Sequence, residues 1–274
     1  MATAENQGFM SNAGFVIGSE GIVVFDTLAT PALGSAMLAA IRRVSDLPIR
    51  YIVNSHYHAD HFYGLQAFDG SDAQILAHRD GKNYLKSDGA ALRLQQRREV
   101  LAPWVSDTTR LVPADDWLVF QGDEPHTLDL GDIHLDIIDV SGSHSDSDIM
   151  LYVREEGILF AGDLFATGRI PFVAGANTAR WLQVIERLRV TDARIVVPGH
   201  GVASRDVAAD LALTEKYLRY LRSSMQRAVE QLQSFDEAYA MTDWSDFESL
   251  PAFSAANRRN AYSVYLELEQ ASFD

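Results

Sequence analysis

The 274-residue sequence contains no cysteine. That absence excludes disulfides, thiolate zinc ribbons, cysteine-ligated iron–sulfur clusters and a cysteine nucleophile, so any metal must be held by histidine and carboxylate. Long apolar runs are missing too. Nothing approaches the roughly 20 uninterrupted residues that cross a bilayer, and no membrane partner is expected. Basic residues are scarce: 23 Lys and Arg stand against 38 Asp and Glu, a formal net charge of −15. This is the wrong sign for tracking a phosphate backbone, because nonspecific nucleic-acid affinity comes from cationic neutralisation. No nucleic-acid partner is expected, and a small-molecule substrate is. Residues 1–8 are polar, with no basic n-region and no following h-region, so no signal peptide is read. A cytoplasmic location follows as the expectation, with a periplasmic protein whose leader has been removed as the alternative.

The length suits one large α/β domain or one domain plus a helical extension. Short apolar runs alternate with longer amphipathic stretches, which is the α/β pattern. Residues 14–18 and 22–25 read as a hairpin, 31–43 as a helix with Pro31 in its first turn, and 49–53 and 73–77 as strands. Residues 80–100 read as mostly helical, then 133–140, 148–153 and 158–160 as consecutive strands. Thr178 is placed as the cap of a helix to about Arg189, with Trp181, Leu182, Ile185 and Leu188 at helical spacing, before a strand at 195–197. Beyond Val207 everything strand-like disappears. Leu211, Tyr217, Leu218, Leu221 and Met225 mark one apolar helix face, and 254–271 reads as a second helix that closes the pocket or forms a homodimer contact. The expected division is a catalytic domain at 1–204 and a helical extension packed on it at 205–274.

The chemistry gathers where strands end. Of eight histidines, His56, His58 and His61 fall within six residues, with Asp60 between the last two. Such a run on a turn brings several imidazoles and a carboxylate toward one point, which suits a borderline cation ligated at about 2.0–2.2 Å. The alternative is a polar loop whose histidines bind nothing. His144, Asp163 and His200 each follow a predicted strand close to a glycine, Gly142, Gly162 and Gly199. Glycine lets a backbone turn sharply beside a bound group. Each is an ordinary loop residue by itself; their weight is joint.

The run His56-x-His58-x-Asp60-His61, with Asp26 after the first hairpin and His144, Asp163 and His200 in that order, resembles the metallo-β-lactamase superfamily over about residues 9–202. The resemblance implies an αβ/βα four-layer sandwich of two central mixed β-sheets, with metals at the edge where the strands end. It implies two Zn2+ per chain, Fe or Mn being the alternatives: His56, His58 and His144 on one, Asp60, His61 and His200 on the other, Asp163 bridging both. Asp26 resembles the family's supporting carboxylate, which orients ligands without binding metal. The implied activity is that of a zinc-dependent hydrolase, in which a metal-bridging hydroxide, oriented by Asp60, attacks an ester, thioester, lactone or amide carbonyl.

The missing cysteine removes a ligand found in the commonest resistance β-lactamases, so efficient β-lactam hydrolysis is not expected. Phe160 through Phe165, Gly168 through Phe172 and Trp181 resemble the SoxH-like or quinoprotein-relay zinc metallohydrolases of bacteria, which are usually exported. A mononuclear iron persulfide dioxygenase-like oxidoreductase, a weak or true β-lactamase, and a metal-binding protein with a degenerate site are the competing readings. A Ser-His-Asp triad is disfavoured because no Gly-x-Ser-x-Gly elbow occurs. Arg169, Tyr57 and Tyr63 are candidate substrate contacts, against the plainer expectations of an ion pair and of core packing. His78, His126 and His134 are read as structural or exposed, and Arg93, Arg97 and Arg98 as a solvated helix face.

Overall fold

Strand β1 (Gly14–Gly18) pairs antiparallel with β2 (Gly21–Phe25), as expected, in a computed structural model that describes residues 10–189 and 192–272. The reading of residues 1–8 as free of a leader lies outside the described residues. Helix α1 (Pro31–Val44) starts where the Thr30 side chain accepts the Leu33 N–H and Pro31 needs no donor partner. Then come β3 (Ile49–Val53), the one-turn α2 (Ala59–Phe62), β4 (Gln74–His78), α3 (Gly81–Leu85), and α4 (Asp88–Val100), capped by Ser87. The second half runs β5 (Asp116–Leu118), β6 (His126–Asp129), β7 (His134–Asp139), β8 (Ile149–Val153), β9 (Ile158–Ala166), α5 (Thr178–Leu188) and β10 (Ile195–His200). Helices α6 (Val207–Glu230), α7 (Phe235–Met241) and α8 (Phe253–Ala271) follow.

The strands form two mixed sheets, β1-β2-β3-β4-β5 and β10-β9-β8-β7-β6. Alternation along β2 shows how they stack. Val23 and Phe25 point into the core between the sheets, with Val53, Leu76, Ile137, Leu151 and Phe160. Ile22 and Val24 point the other way, onto Met37 and Ile41 of α1. On the far side, Met150, Leu159 and Val196 meet Trp181 and Ile185 of α5 and Leu218, Leu221, Val264 and Leu268 of α6 and α8. Each such fully buried aliphatic side chain contributes about 1.5–3 kcal/mol. The order helix, sheet, sheet, helix is the four-layer α/β sandwich, and the C-terminal helices share a core with the second sheet. Among the described residues, no helix is long and apolar enough to cross a membrane.

Three expectations are corrected. Asn177 caps α5 by accepting the Arg180 N–H, while Thr178 donates its hydroxyl to Glu267 of α8. Strands β9 and β10 run beyond 160 and 197, to Ala166 and His200, because their backbones stay paired through the polar stretch, Pro198 against Gly162 and His200 against Ala166. Strands β5 and β6 were not expected; three and four residues long, they are too short to show a period.

Candidate metal centre

Asp26 follows β2 at φ +58, a costly backbone conformation for a residue with a side chain. Strand β3 and helix α2 hold it there: its N–H donates to Val53 O at 3.0 Å, and the Thr27 N–H to His61 O at 2.8 Å. The carboxylate is buried and accepts three hydrogen bonds, from the Ser55 N–H (2.7 Å), the Ser55 hydroxyl (2.8 Å) and His61 Nδ1 (2.7 Å). Since the Ser55 proton goes to Asp26, Ser55 Oγ accepts from His56 Nδ1 at 2.9 Å. One carboxylate thereby fixes the ring orientation of two histidines, turning Nε2 of each toward the cluster. Among the described residues both Nε2 atoms are buried with no hydrogen-bond partner, as is Asp163 Oδ1, which lies 3.2 Å from His61 Nε2. Buried polar atoms are normally satisfied, so three such atoms of ligand type converging on one place mark a position suited to a cation.

His58 precedes α2, and Asp60 and His61 lie in its single turn. His144 follows β7, Asp163 sits within β9 and His200 ends β10. All seven expected ligands come together. His56, His58, His144 and Asp163 form one group, and Asp60, His61 and His200 a second, the candidate ligand atoms within each lying no more than 4.8 Å apart. Asp163 reaches both: Oδ1 is 3.2 Å from His61 Nε2, and Oδ2 is 3.4 Å from both His144 Nε2 and His200 Nε2. His58 Nδ1 and His144 Nε2 face each other at 2.9 Å. Nitrogen and carboxylate donors at these spacings fit borderline divalent cations.

The electrostatics divide the histidines the same way. Burial, reinforced by their imidazole neighbours, holds His56 well below the ordinary value and pushes His58 down to about 3. Burial also lowers His144. For His61 and His200 burial is overcome by the facing carboxylates, Asp163 foremost, which raise His61 well above the usual range and His200 to about 9. Asp60 and Asp163 resist burial in turn and stay ionised opposite His61 and His200.

Sequence reasoning did not find how the His144 ring is held. Its Nδ1 donates to Phe172 O at 3.1 Å, so Nε2 faces the cluster. The Phe172 segment is tied to α8 by Asn260, buried, which accepts the Val173 N–H at 2.9 Å and donates to Pro171 O at 2.8 Å. The C-terminal helices thus brace the centre through the Phe172 carbonyl. An Asn on an amphipathic helix face was the available signal.

A cavity of about 340 Å3 opens over the cluster, with His58, Asp60, His144, Asp163 and His200 on one wall. Arg93 and Arg97 of α4 and Arg259 of α8 line it too, correcting the expectation of a purely solvated α4 face. Arg98 is turned away onto the carbonyls of Ser106 and Thr109. Tyr57 is buried against Phe62 and Trp117, and Tyr63 against Phe62; neither lines this cavity. Arg169 lies over the Phe172 ring at 5.2 Å, and among the described residues no carboxylate is within 4 Å of it, so the expected ion pair is replaced by a cation–π contact. His78 is buried and stacked on Phe120, His134 pairs with Glu155 at 2.8 Å, and His126 is exposed.

Asp148 braces the His144 loop by accepting the Ser145 N–H and hydroxyl, each at 2.6 Å. Burial raises its carboxyl from 3.8 to about 8. The folded chain therefore keeps a proton that the unfolded chain releases, and stability falls as pH rises through that window, by up to about 1.4 kcal/mol per pH unit. Denaturation of the metal-free protein across this range should show the slope, and Asp148→Asn should flatten it; parallel curves would refute the assignment.

Known proteins are similar to this chain in sequence and in fold. The linear primary-alkylsulfatase of Pseudomonas sp. (strain ATCC 19151) is 23% identical over 258 residues, covering 80% of this chain and 47% of that enzyme. The chain therefore spans about half the length of that relative. Among solved structures, the stereoselective inverting sec-alkylsulfatase Pisa1 from Pseudomonas sp. superposes with a TM-score of 0.73 at 20% identity, over 96% of this chain and 49% of that one. A metallo-beta-lactamase family protein from Thermus thermophilus does so at 0.68 and 21%, over 96% and 88%. These structural likenesses show the fold, C-terminal helices included. The profile of the Metallo-beta-lactamase superfamily matches residues 6–200, a span that ends on the last of the seven clustered side chains. With sandwich, motif order and clustered side chains in agreement, the chain belongs to the metallo-beta-lactamase superfamily.

Proposed function

We propose that this protein is a metal-dependent hydrolase of small molecules, holding two zinc ions and cutting an ester, thioester, lactone or amide bond. The observation that carries the reading is the set of buried ligand atoms of His56, His61 and Asp163, without hydrogen-bond partners among the described residues, clustered with the cavity-lining His58, Asp60, His144 and His200. His56, His58 and His144 are assigned to one cation, Asp60, His61 and His200 to the other, with Asp163 between them. Cations bound there supply Lewis acidity and make water nucleophilic near neutral pH. The protein's own part is positional. Asp26 and Ser55 lock two imidazoles, Phe172 O locks a third, and the burial of the cluster strengthens each charge interaction within it. Asp60, whose side chain is 17% exposed beside the cavity, is the carboxylate assigned to orient the attacking water and accept its proton. Residues 1–204 are taken as the catalytic unit and 205–274 as its helical extension.

A sulfate ester is the second reading, favoured by the alkylsulfatase likeness over 80% of the chain. Metal analysis and a panel of esters, thioesters, lactones, β-lactams and short alkyl sulfates test both. Two zinc equivalents per chain, with turnover abolished by chelation and restored by zinc, is the expected result. One iron with oxygen consumption, or turnover indifferent to chelation, would overturn the hydrolase reading; the substrates turned over decide between carbonyl and sulfate ester.

A further inference from the structure

The wall of the cavity contributed by α4 and α8 is cationic, in a chain whose formal charge is −15. Arg93 and Arg97 are four residues apart on α4 and so share one helix face; Arg259 comes from α8, on the same face as Ala255. Among the described residues, the only carboxylates lining the cavity are Asp60 and Asp163, both members of the metal groups. Among the described residues, no carboxylate lies within 4 Å of Arg93 or Arg259, although Arg93 reaches the Tyr84 hydroxyl. The contrast with the next residue is direct: Arg258 pairs with Asp236 at 2.7 Å and lies over the Phe235 and Tyr239 rings. Phe172, Ala174 and Ala255 add apolar surface to the same cavity.

We propose that Arg93, Arg97 and Arg259 form a recognition subsite for an oxyanion on the non-reacting part of the substrate. The substrate class is then a small ester-type molecule with a short apolar spacer ending in a carboxylate or sulfonate. Guanidinium forks match such groups bidentately, which an ammonium cannot do. The subsite deepens the hydrolase reading and rests on it for the word substrate, but anion binding itself does not require turnover.

The test has two arms. In the first, the metal-loaded protein is given the p-nitrophenyl monoester of glutarate and, as the neutral counterpart, p-nitrophenyl valerate. Wild type should prefer the anionic ester, and in Arg93→Gln/Arg259→Gln the ratio of the two kcat/KM values should fall at least about tenfold, the scale of one charge-assisted hydrogen bond. In the second arm, glutarate is titrated into chelator-treated protein and followed by NMR. The double glutamine variant should bind it at least about tenfold more weakly, with Arg93→Lys/Arg259→Lys, which keeps the charge and loses the fork, in between. Glutarate binding that follows the arginines while no ester is turned over would uphold the subsite and refute the hydrolase. An ester ratio unchanged by the variant, or glutarate affinity equal in wild type and variant, would overturn the proposal.

Discussion

Asp163→Asn is expected to lower kcat/KM by more than about a thousandfold, roughly 4 kcal/mol of transition-state stabilisation, and to leave at most one metal bound per chain. The side chain is buried, with one oxygen 3.2 Å from His61 and the other 3.4 Å from both His144 and His200. It is the contact between the two donor groups. Asparagine keeps its shape, so the fold should persist, but the amide carries no charge and offers one acceptor oxygen where there were two. Charge also matters before any metal arrives, because Asp163 is the foremost cause of the raised values of His61 and His200. Without it both imidazoles should lose protons at lower pH, which NMR of the metal-free variant would read separately from activity. Full metal content with kcat/KM within about tenfold of wild type would refute the bridging assignment.

The ligand set was legible in the sequence because it is local or strand-terminal. Three histidines within six residues cannot avoid one another on a turn, and His144, Asp163 and His200 each follow a strand beside a glycine. Most of the fold was legible for a related reason: the apolar runs of β2, β3 and β8 are period-2 or fully buried, and their lengths and flanks mark them as strands. What escaped is what tertiary contact decides. Asn260 holds the Pro171–Val173 segment from 87 to 89 positions away, a bond no local pattern announces. The three arginines of the cavity are a similar case. Spacing showed that Arg93 and Arg97 share a face, but the packing of Ala90 and Leu94 into the core decides where that face points. Ser55 was passed over because a serine beside a histidine is common. Its role depends on Asp26 lying across the strand pair.

Gly199→Ala should be nearly as damaging as loss of a ligand, although glycine binds nothing. Backbone conformation is not the reason, since Gly199 does not occupy the left-handed region; space is. A Cβ at 199 would overlap Asp163 Oδ1 and lie 2.9 Å from both the carbonyl carbon and oxygen of Gly162. Real Cβ atoms do not approach that closely, so something must move. The parallel pairing of β9 with β10 already shifts register on either side of Pro198, with Pro198 opposite Gly162, beside the centre. Relief comes from swinging the Asp163 carboxylate out of its position or from prying β10, with His200 at its end, off β9. Either movement separates the two donor groups. Overpacking of this kind costs about 1–3 kcal/mol of stability. Displacing a catalytic carboxylate by about 1 Å costs on the order of a hundredfold in rate. The expected result is therefore a folded protein with a modestly lowered Tm, weakened metal binding and kcat/KM down at least about a hundredfold. Gly70→Ala is the matched control, because a Cβ there meets nothing within 4 Å. Metal titration, thermal melting and kinetics on the pair decide the matter: if Gly199→Ala binds metal and turns over substrate within about twofold of the control, the close approach of β9 and β10 is not what positions Asp163.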